Sequence, residues 1–257
     1  MTGPRHTEGG IIDTLPNIYM ARMDVAPEGL PAFMNWYEHK HAPDLISVGF
    51  HSAHGYHCRA GSPFILNVYE IDSSEIFYSE AYNTKRTPAS DPERPAILAG
   101  VTNRSNTVYR QIHTLGVEIP DRSWSEGSRS GAVDAPVVTS VRFDLEQGSN
   151  RDALVDWFRD VEFPRTASRS GFLAARLLNR TGRQHHANPW LSSWATLIEW
   201  EDQVAAEAAG DEVGTLERLT GAGLGVTEAA FHLAVRVLSV TTGGGEPPTK
   251  RSSGAVD

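Results

Sequence analysis

The chain is written twice. Asn35-Trp36-Tyr37, Pro43 and Gly49-Phe50 recur in order as Asp156-Trp157-Phe158, Pro164 and Gly171-Phe172. Upstream, Arg22-Met23-Asp24-Val25 returns as Arg142-Phe143-Asp144-Leu145; downstream, Val68-Tyr69-Glu70-Ile71-Asp72 returns as Leu197-Ile198-Glu199-Trp200-Glu201. Even Ser130-Gly131-Ala132-Val133-Asp134 reappears as Ser253-Gly254-Ala255-Val256-Asp257. Matches that keep their order along most of a chain mark a tandem duplication, so any fold must consist of one unit made twice. The join falls near Ala135.

Each copy carries the same hydrophobic pattern. Alternating or β-branched runs predict strands over 18–25, 50–59, 65–71 and 106–115, and over 137–145, 172–179, 194–200 and 230–240. Amphipathic periodicity predicts helices over 30–41 and 151–162, each expected to stop before the following proline, Pro43 or Pro164. Second helical regions open at 75–84 and 203–209. The order βαββαβ is a ferredoxin-like unit, whose sheet covers one face with helices and leaves the other in need of a partner. Two units in one chain can supply that partner to each other, giving an α+β protein with a lumen between the sheets. The expected divisions are a loose arm at 1–13, a first unit at 14–117, a linker at 118–135, a second unit at 136–242 and a mobile tail at 243–257.

Composition narrows the partners. The 257 residues carry a formal charge of −9, without a Lys/Arg-rich run, which argues against nucleic-acid or anionic-membrane binding. No apolar stretch approaches the length of a bilayer span, and the first ten residues lack the apolar core of a secretory signal. Cys58 is the single cysteine, which excludes intrachain disulfides and Cys-based metal sites. A cytoplasmic protein with a small-molecule partner is the expectation, and pairing of two whole chains into a homodimer is compatible with it.

The segment Trp36-Tyr37-Glu38-His39-Lys40-His41-Ala42-Pro43, followed by Gly49-Phe50 and a strand, resembles the EthD-like branch of the dimeric α+β barrel superfamily. His41 falls on the motif histidine, and Pro43 with Gly49-Phe50 on the motif turn; the second copy keeps Trp157, Pro164 and Gly171-Phe172 but places Glu162 at the histidine position. The resemblance implies two ferredoxin-like units forming a pseudo-dimeric barrel. It also implies membership of a superfamily that includes cofactor-free monooxygenases, polyketide cyclases, aldoxime dehydratases and haem-binding enzymes.

Histidine distribution separates the copies. His39, His41, His51, His54 and His57 crowd the first, where the second has Asp160, Glu162, Leu173, Arg176 and Asn179. Histidine titrates near neutrality and can serve as general acid or base, so one working site in the first copy is expected. Strand parity assigns the lumen residues. Phe50, Ser52, His54 and Tyr56 are expected inside, with Asn67 and Tyr69 inward while Leu66 and Val68 face the helices. Tyr109, Gln111 and His113 follow from the fourth strand, and Met20, Arg22, Ser140 and Arg142 from the first strands. Metal binding is not expected: His39 and His41 lie two apart on a helix, His51 and His57 fall on the strand face opposite His54, and neither H-E-x-x-H nor a cysteine pair occurs.

The leading expectation is a cofactor-free enzyme that performs acid/base chemistry (cyclisation, dehydration or isomerisation, hence a lyase or cyclase) on an aromatic or polyketide-like molecule. The candidate catalytic residues are His41, His54, Tyr69, Tyr109 and His113, with Arg22, Trp36, Phe50, Asn67 and Arg176 around the substrate. His41, expected at a helix C-terminus, would gain there from the macrodipole when charged. The alternatives are a cofactor-independent monooxygenase, a haem or metal enzyme, and a non-catalytic carrier of a hydrophobic ligand.

Overall fold

A computed structural model describes residues 15–118, 131–185, 190–209 and 212–241, with side chains left aside at 212–216. The expected arm at 1–13, most of the linker and the tail at 243–257 lie outside the described residues. The first unit runs β1 (Asn17–Val25), α1 (Leu30–Trp36), α2 (Ala42–Ser47), β2 (Ser52–Gly61), β3 (Ile65–Ile71), α3 (Glu80–Lys85), α4 (Arg94–Ala99) and β4 (Val101–Leu115). The second runs β5 (Val137–Leu145), α5 (Arg151–Trp157), α6 (Phe163–Ala167), β6 (Phe172–Arg180), β7 (Trp194–Trp200), α7 (Gln203–Ala208), α8 (Glu212–Gly221) and β8 (Val226–Thr241). Each sheet has the order 4-1-3-2. The pairs β2–β8 and β4–β6 join the two sheets into a closed eight-stranded antiparallel barrel. This is the dimeric α+β barrel architecture made within one chain. Among the described residues no helix is long and apolar enough to cross a membrane.

The helices do not stop at the prolines. A π-turn at Tyr37–His41 connects α1 to α2, and another at Phe158–Glu162 connects α5 to α6. Pro43 has no N–H for the carbonyl four residues back, and in a regular helix its ring would press on that carbonyl. The extra residue of the turn removes the clash: the Ala42 N–H bonds to the Tyr37 carbonyl, and the Phe163 N–H to the Phe158 carbonyl. His41 therefore sits inside a longer helix and not at its C-terminus, so the helix macrodipole gives its charged form no advantage there.

The barrel interior is an apolar core. Ile18, Met20, Tyr56, Leu66, Val68, Tyr109, Leu178 and Leu197 pack there with Val133 and Ala135. Leu66 and Val68 thus face inward and Asn67 and Tyr69 face the helices, the reverse of the parity expected for β3. A closed lumen excludes water as fully as the helix layer does, so aliphatic side chains gain as much there. Phe50 precedes β2 and packs under the helices against Tyr69 and Phe77. His113 leaves the lumen because β4 shifts register between Gln111 and His113; it stacks on Phe163 of the second unit at 5.8 Å.

The end of the linker plugs one mouth of the lumen. Val133 and Ala135 are fully buried although their segment reads as polar linker. Glu70 accepts from the Val133 N–H at 2.9 Å and from Ser52 Oγ at 2.6 Å, and Glu199 accepts from the Asp134 N–H at 3.2 Å. Tyr56 donates to the Ala135 carbonyl at 3.1 Å. Arg176 spends every arm here, on Glu199 at 3.0 Å, Gln111 at 2.8 Å and the Gly131 carbonyl at 2.8 Å.

Candidate active site

The larger of two outer cavities lies on the outer face of the first sheet, under its helices. It measures about 120 Å³. β1 supplies Tyr19 and Ala21, β3 supplies Asn67 and Tyr69, and the helical layer supplies Trp36, Tyr37, His41, Phe77 and Tyr82. Arg86, Arg94 and Arg104 also line it, with Phe50 and Asn106.

The π-turn sets the polar geometry. Because it widens the helix between Tyr37 and His41, both rings reach the cavity. His41 stacks on Trp36 at 4.6 Å and 12° and lies 5.6 Å from the Tyr37 ring. Trp36 is fixed in turn by its indole N–H, which donates to both carboxylate oxygens of buried Asp91 at 3.1 Å. Asp91 also accepts the Arg94 backbone N–H at 3.2 Å. The Arg94 guanidinium lies 5.6 Å from the centre of the Trp36 ring and reaches His41 Nδ1 at 3.3 Å. Arginine can only donate, so Nδ1 accepts and the His41 proton resides on Nε2. In that tautomer His41 is a hydrogen-bond donor rather than a base.

Tyr37 and Tyr69 share a hydrogen bond at 2.8 Å. Burial, above all, drives both phenols above the ordinary tyrosine range, so they remain neutral donors. One bond between two hydroxyls uses one proton, which leaves the other for a third partner. Beside them Asn67 Nδ2 is buried without a partner among the described residues. Buried donors are nearly always satisfied, and one that is not, on a cavity wall, is a donor available to a ligand.

The cavity is electropositive. No Asp or Glu lines it, against three arginines. Arg94 is lowered from its usual value by burial first and by Arg86 second. Arg86 lies 5.0 Å from the Tyr82 ring centre and 2.6 Å from His185 Nε2, a residue of the second unit that stacks on Phe77 at 5.4 Å. Burial, then Arg86 and Arg183, keep His185 below the ordinary imidazole range, which suits an acceptor from Arg86.

Of the residues expected to form one site, His41, Trp36, Phe50, Asn67 and Tyr69 come together here. His54, Tyr109, Arg22 and Arg176 stay in the barrel interior, and His113 goes to the opposite helix layer. His54 contacts Ser239 Oγ at 3.0 Å; burial and Arg236 lower its pKa to about 4. The sequence reading missed Tyr19, Tyr37, Phe77, Tyr82 and the three arginines. Among the described residues, no three His, Cys, Asp or Glu side chains are grouped to share a metal ion.

No family model matches the chain, and no curated protein matches it in sequence. Solved structures do share the fold. An anthrone oxidase-like protein superposes with a TM-score of 0.61 at 16% identity, over 91% of this chain and 97% of that one. A protein of Fusobacterium nucleatum assigned provisionally as a monooxygenase gives 0.56 at 10% identity, over 90% and 96%. One of Lactobacillus acidophilus, assigned in the same way, gives 0.53 at 10% identity, over 89% and 97%.

Proposed function

We propose that the outer cavity of the first unit is the active site of an enzyme acting on a small phenolic or enolisable aromatic compound through its oxyanion. The observation that carries this reading is the set of donors on an aromatic wall beneath three arginines: the Tyr37–Tyr69 hydroxyl pair and the partnerless Asn67 amide. An apolar cavity of about 150 Å³ takes up benzene. A cavity of about 120 Å³ that continues toward three arginines therefore suits one buried ring with its remainder outside, rather than a porphyrin.

The chemistry follows from the donors. Neutral tyrosines and the Asn67 amide stabilise charge as it develops on a substrate oxygen, and they cost little reorganisation because packing already orients them. The arginines favour the ionised form of a bound phenol or enol, which takes the place of a carboxylate base. From that anion the leading course is proton-transfer chemistry: cyclisation, dehydration or isomerisation. The second reading is a cofactor-independent monooxygenase, in which the same anion reduces oxygen; the names of the structural neighbours favour it. Oxygen uptake during turnover separates the two.

The test uses 4-nitrophenol, whose phenolate absorbs in the visible. Bound to the protein, it should ionise about one pH unit or more below the free probe. Arg94→Leu and Tyr69→Phe should each move that ionisation back toward the free value. Binding only as the neutral phenol, or no binding by the folded protein, would overturn the proposal.

A further inference from the structure

The end of the lumen away from the linker plug holds charge with nothing to meet it. Ile18 lies in register with Glu70 at the plugged end, and Arg22, four residues further along β1, lies in register with Leu66. That is about 13 Å down the strand. Arg22 is 0% exposed. Its Nη2 contacts only the Met20 sulfur, at 2.9 Å, and its Nε and Nη1 have no partner among the described residues. Thioether sulfur is a weak acceptor and carries no compensating charge.

A second arginine lies near enough to feel the first: burial first, then Arg22, lowers Arg142 from its usual value. Arg142 occupies on β5 the repeat position that Arg22 occupies on β1. It donates to Ser105 Oγ and lies 4.3 Å from the Trp190 ring centre, while its Nε lacks a partner among the described residues. Among the described residues no carboxylate pairs with either guanidinium. The carboxylates that follow each arginine are committed elsewhere. Asp24 accepts from the Phe64 N–H and Asn103, and Asp144 from Trp190 and the Ser193 N–H. Burial, then Arg22 and Arg142, hold the fully buried His232 neutral, against a smaller effect of the Ser62 backbone. Ser140 and Thr107 add buried hydroxyls without partners among the described residues, and Ser140 is paired in register with His232.

Two like charges drawn from water into one apolar barrel, with neutral donors around them, form half of an ion pair. Arg176 shows how the same lumen treats an arginine it has satisfied: carboxylate, amide and carbonyls on every arm. We propose that the end of the lumen opposite the plug binds a small inorganic anion, of the size of a halide or nitrate, between Arg22 and Arg142, with His232, Ser140 and Thr107 as neutral donors. The proposal concerns a site separate from the outer cavity and does not depend on the reaction assigned there.

The experiment is a set of melting curves at fixed pH and ionic strength, with sodium gluconate replaced stepwise by chloride, bromide or nitrate. The expected result is a saturable rise of about 3–8 °C for the small anions, as follows for a ligand held by the folded chain alone. Arg22→Met keeps the volume and removes the charge, so it should abolish the rise; in gluconate it should melt no lower than the parent, because a buried charge has been replaced by an apolar group. Should Arg22→Met fail to fold, crystals of the parent grown in bromide provide the second measurement, with an anomalous peak expected between the two guanidinium groups. Identical melting of the parent in every salt would show that the charge is met from within the chain and would overturn the proposal. A rise that survives in Arg22→Met, or bromide crystals without that peak, would overturn it as well.

Discussion

The two outer pockets occupy equivalent places in the repeat and differ in size and lining. Each unit carries a π-turn at the same place in the repeat, ending in His41 or Glu162; His41 lines the first pocket, whereas Glu162 is not among the residues that line the second. In the first unit that residue joins a cavity of about 120 Å³; in the second the corresponding cavity has shrunk to about 40 Å³. Tyr37 has become Phe158, which packs on Phe163 at 5.2 Å, and Tyr69 has become Ile198. The repeat partner of Asn67 is Thr196, whose hydroxyl is already used by the Val141 N–H at 3.1 Å. Glu162 is 1% exposed and held by Arg218 through two bonds, at 2.8 and 3.1 Å, with Arg165 at 3.4 Å. The first pocket presents the Tyr37–Tyr69 hydroxyl pair and the Asn67 amide; at the equivalent positions the second has Phe158, Ile198 and a Thr196 hydroxyl already bonded, although Thr166 Oγ1 on its wall has no partner among the described residues. A scaffold that must remain closed can leave such groups unpaired in one half because the other half is well packed.

The sharpest break in the comparison crosses Tyr37 with Phe158. Phe158→Ala should cost about 3–5 kcal/mol of stability by urea denaturation, with turnover preserved in whatever remains folded. Tyr37→Phe should cost about 1 kcal/mol or less of stability yet lower kcat/KM about 100-fold. Exchanged outcomes would mean that the pockets have been assigned the wrong way round. Next in size is the arginine pair. Arg218→Ala removes two bonds to the buried Glu162 carboxylate and should cost about 1–2 kcal/mol, discounted because Arg218 itself is partly exposed. Arg94→Ala should change the melting point less and weaken binding of an anionic phenol about tenfold, read by titration.

The shared lumen gives a pH test. Burial first of all raises Glu70 to about 7, so the folded chain keeps a proton that the unfolded chain has released, and this contribution to stability falls as pH rises from 4.5 to about 7. His54, lowered to about 4, has the opposite sign: the unfolded chain binds a proton that the folded chain refuses, and stability rises with pH from about 4 to 6.5. The two slopes oppose each other between 4.5 and 6.5. Glu70→Gln should leave the rising slope of His54 alone, and His54→Gln the falling slope of Glu70, in melting points measured across that window. The smallest effect belongs to His113→Ala, which removes a stacking partner of Phe163 and should cost about 1 kcal/mol or less without touching turnover.

What the sequence discloses follows from where its signals are periodic. The strands Ile65–Ile71, Val137–Leu145 and Trp194–Trp200 coincide with the expected runs because polar or glycine-rich segments bound them on both sides. Parity along a strand, however, tells faces apart without saying which face is wet, and for β3 it points the wrong way because Leu66 and Val68 pack in the lumen as aliphatic side chains do under the helices. His113 escaped because a bulge leaves no mark in hydrophobic alternation. The arginines of the cavity fall in or near the aperiodic connection between β3 and β4. Their trace was nevertheless present: that connection carries Arg86 and Arg94, with Arg104 just beyond, where the second copy has Arg218 alone. The exchange of Tyr37 and Tyr69 for Phe158 and Ile198 is equally visible in the aligned repeats.

The linker plug bears on how such a barrel can be assembled at all. Glu70 and Glu199 occupy equivalent repeat positions across the lumen, yet they grip consecutive amides, Val133 and Asp134, of a single strand of chain. A segment that bridges equivalent residues of the two units lies between them, and such a position can be filled once. In a barrel built from two identical chains, two copies of this segment would compete for one place, and at least one carboxylate would lose its backbone partner. Fusion therefore does more than tether the halves. It settles which of two equal claimants occupies the centre and turns a symmetric assembly into one with a defined inside order.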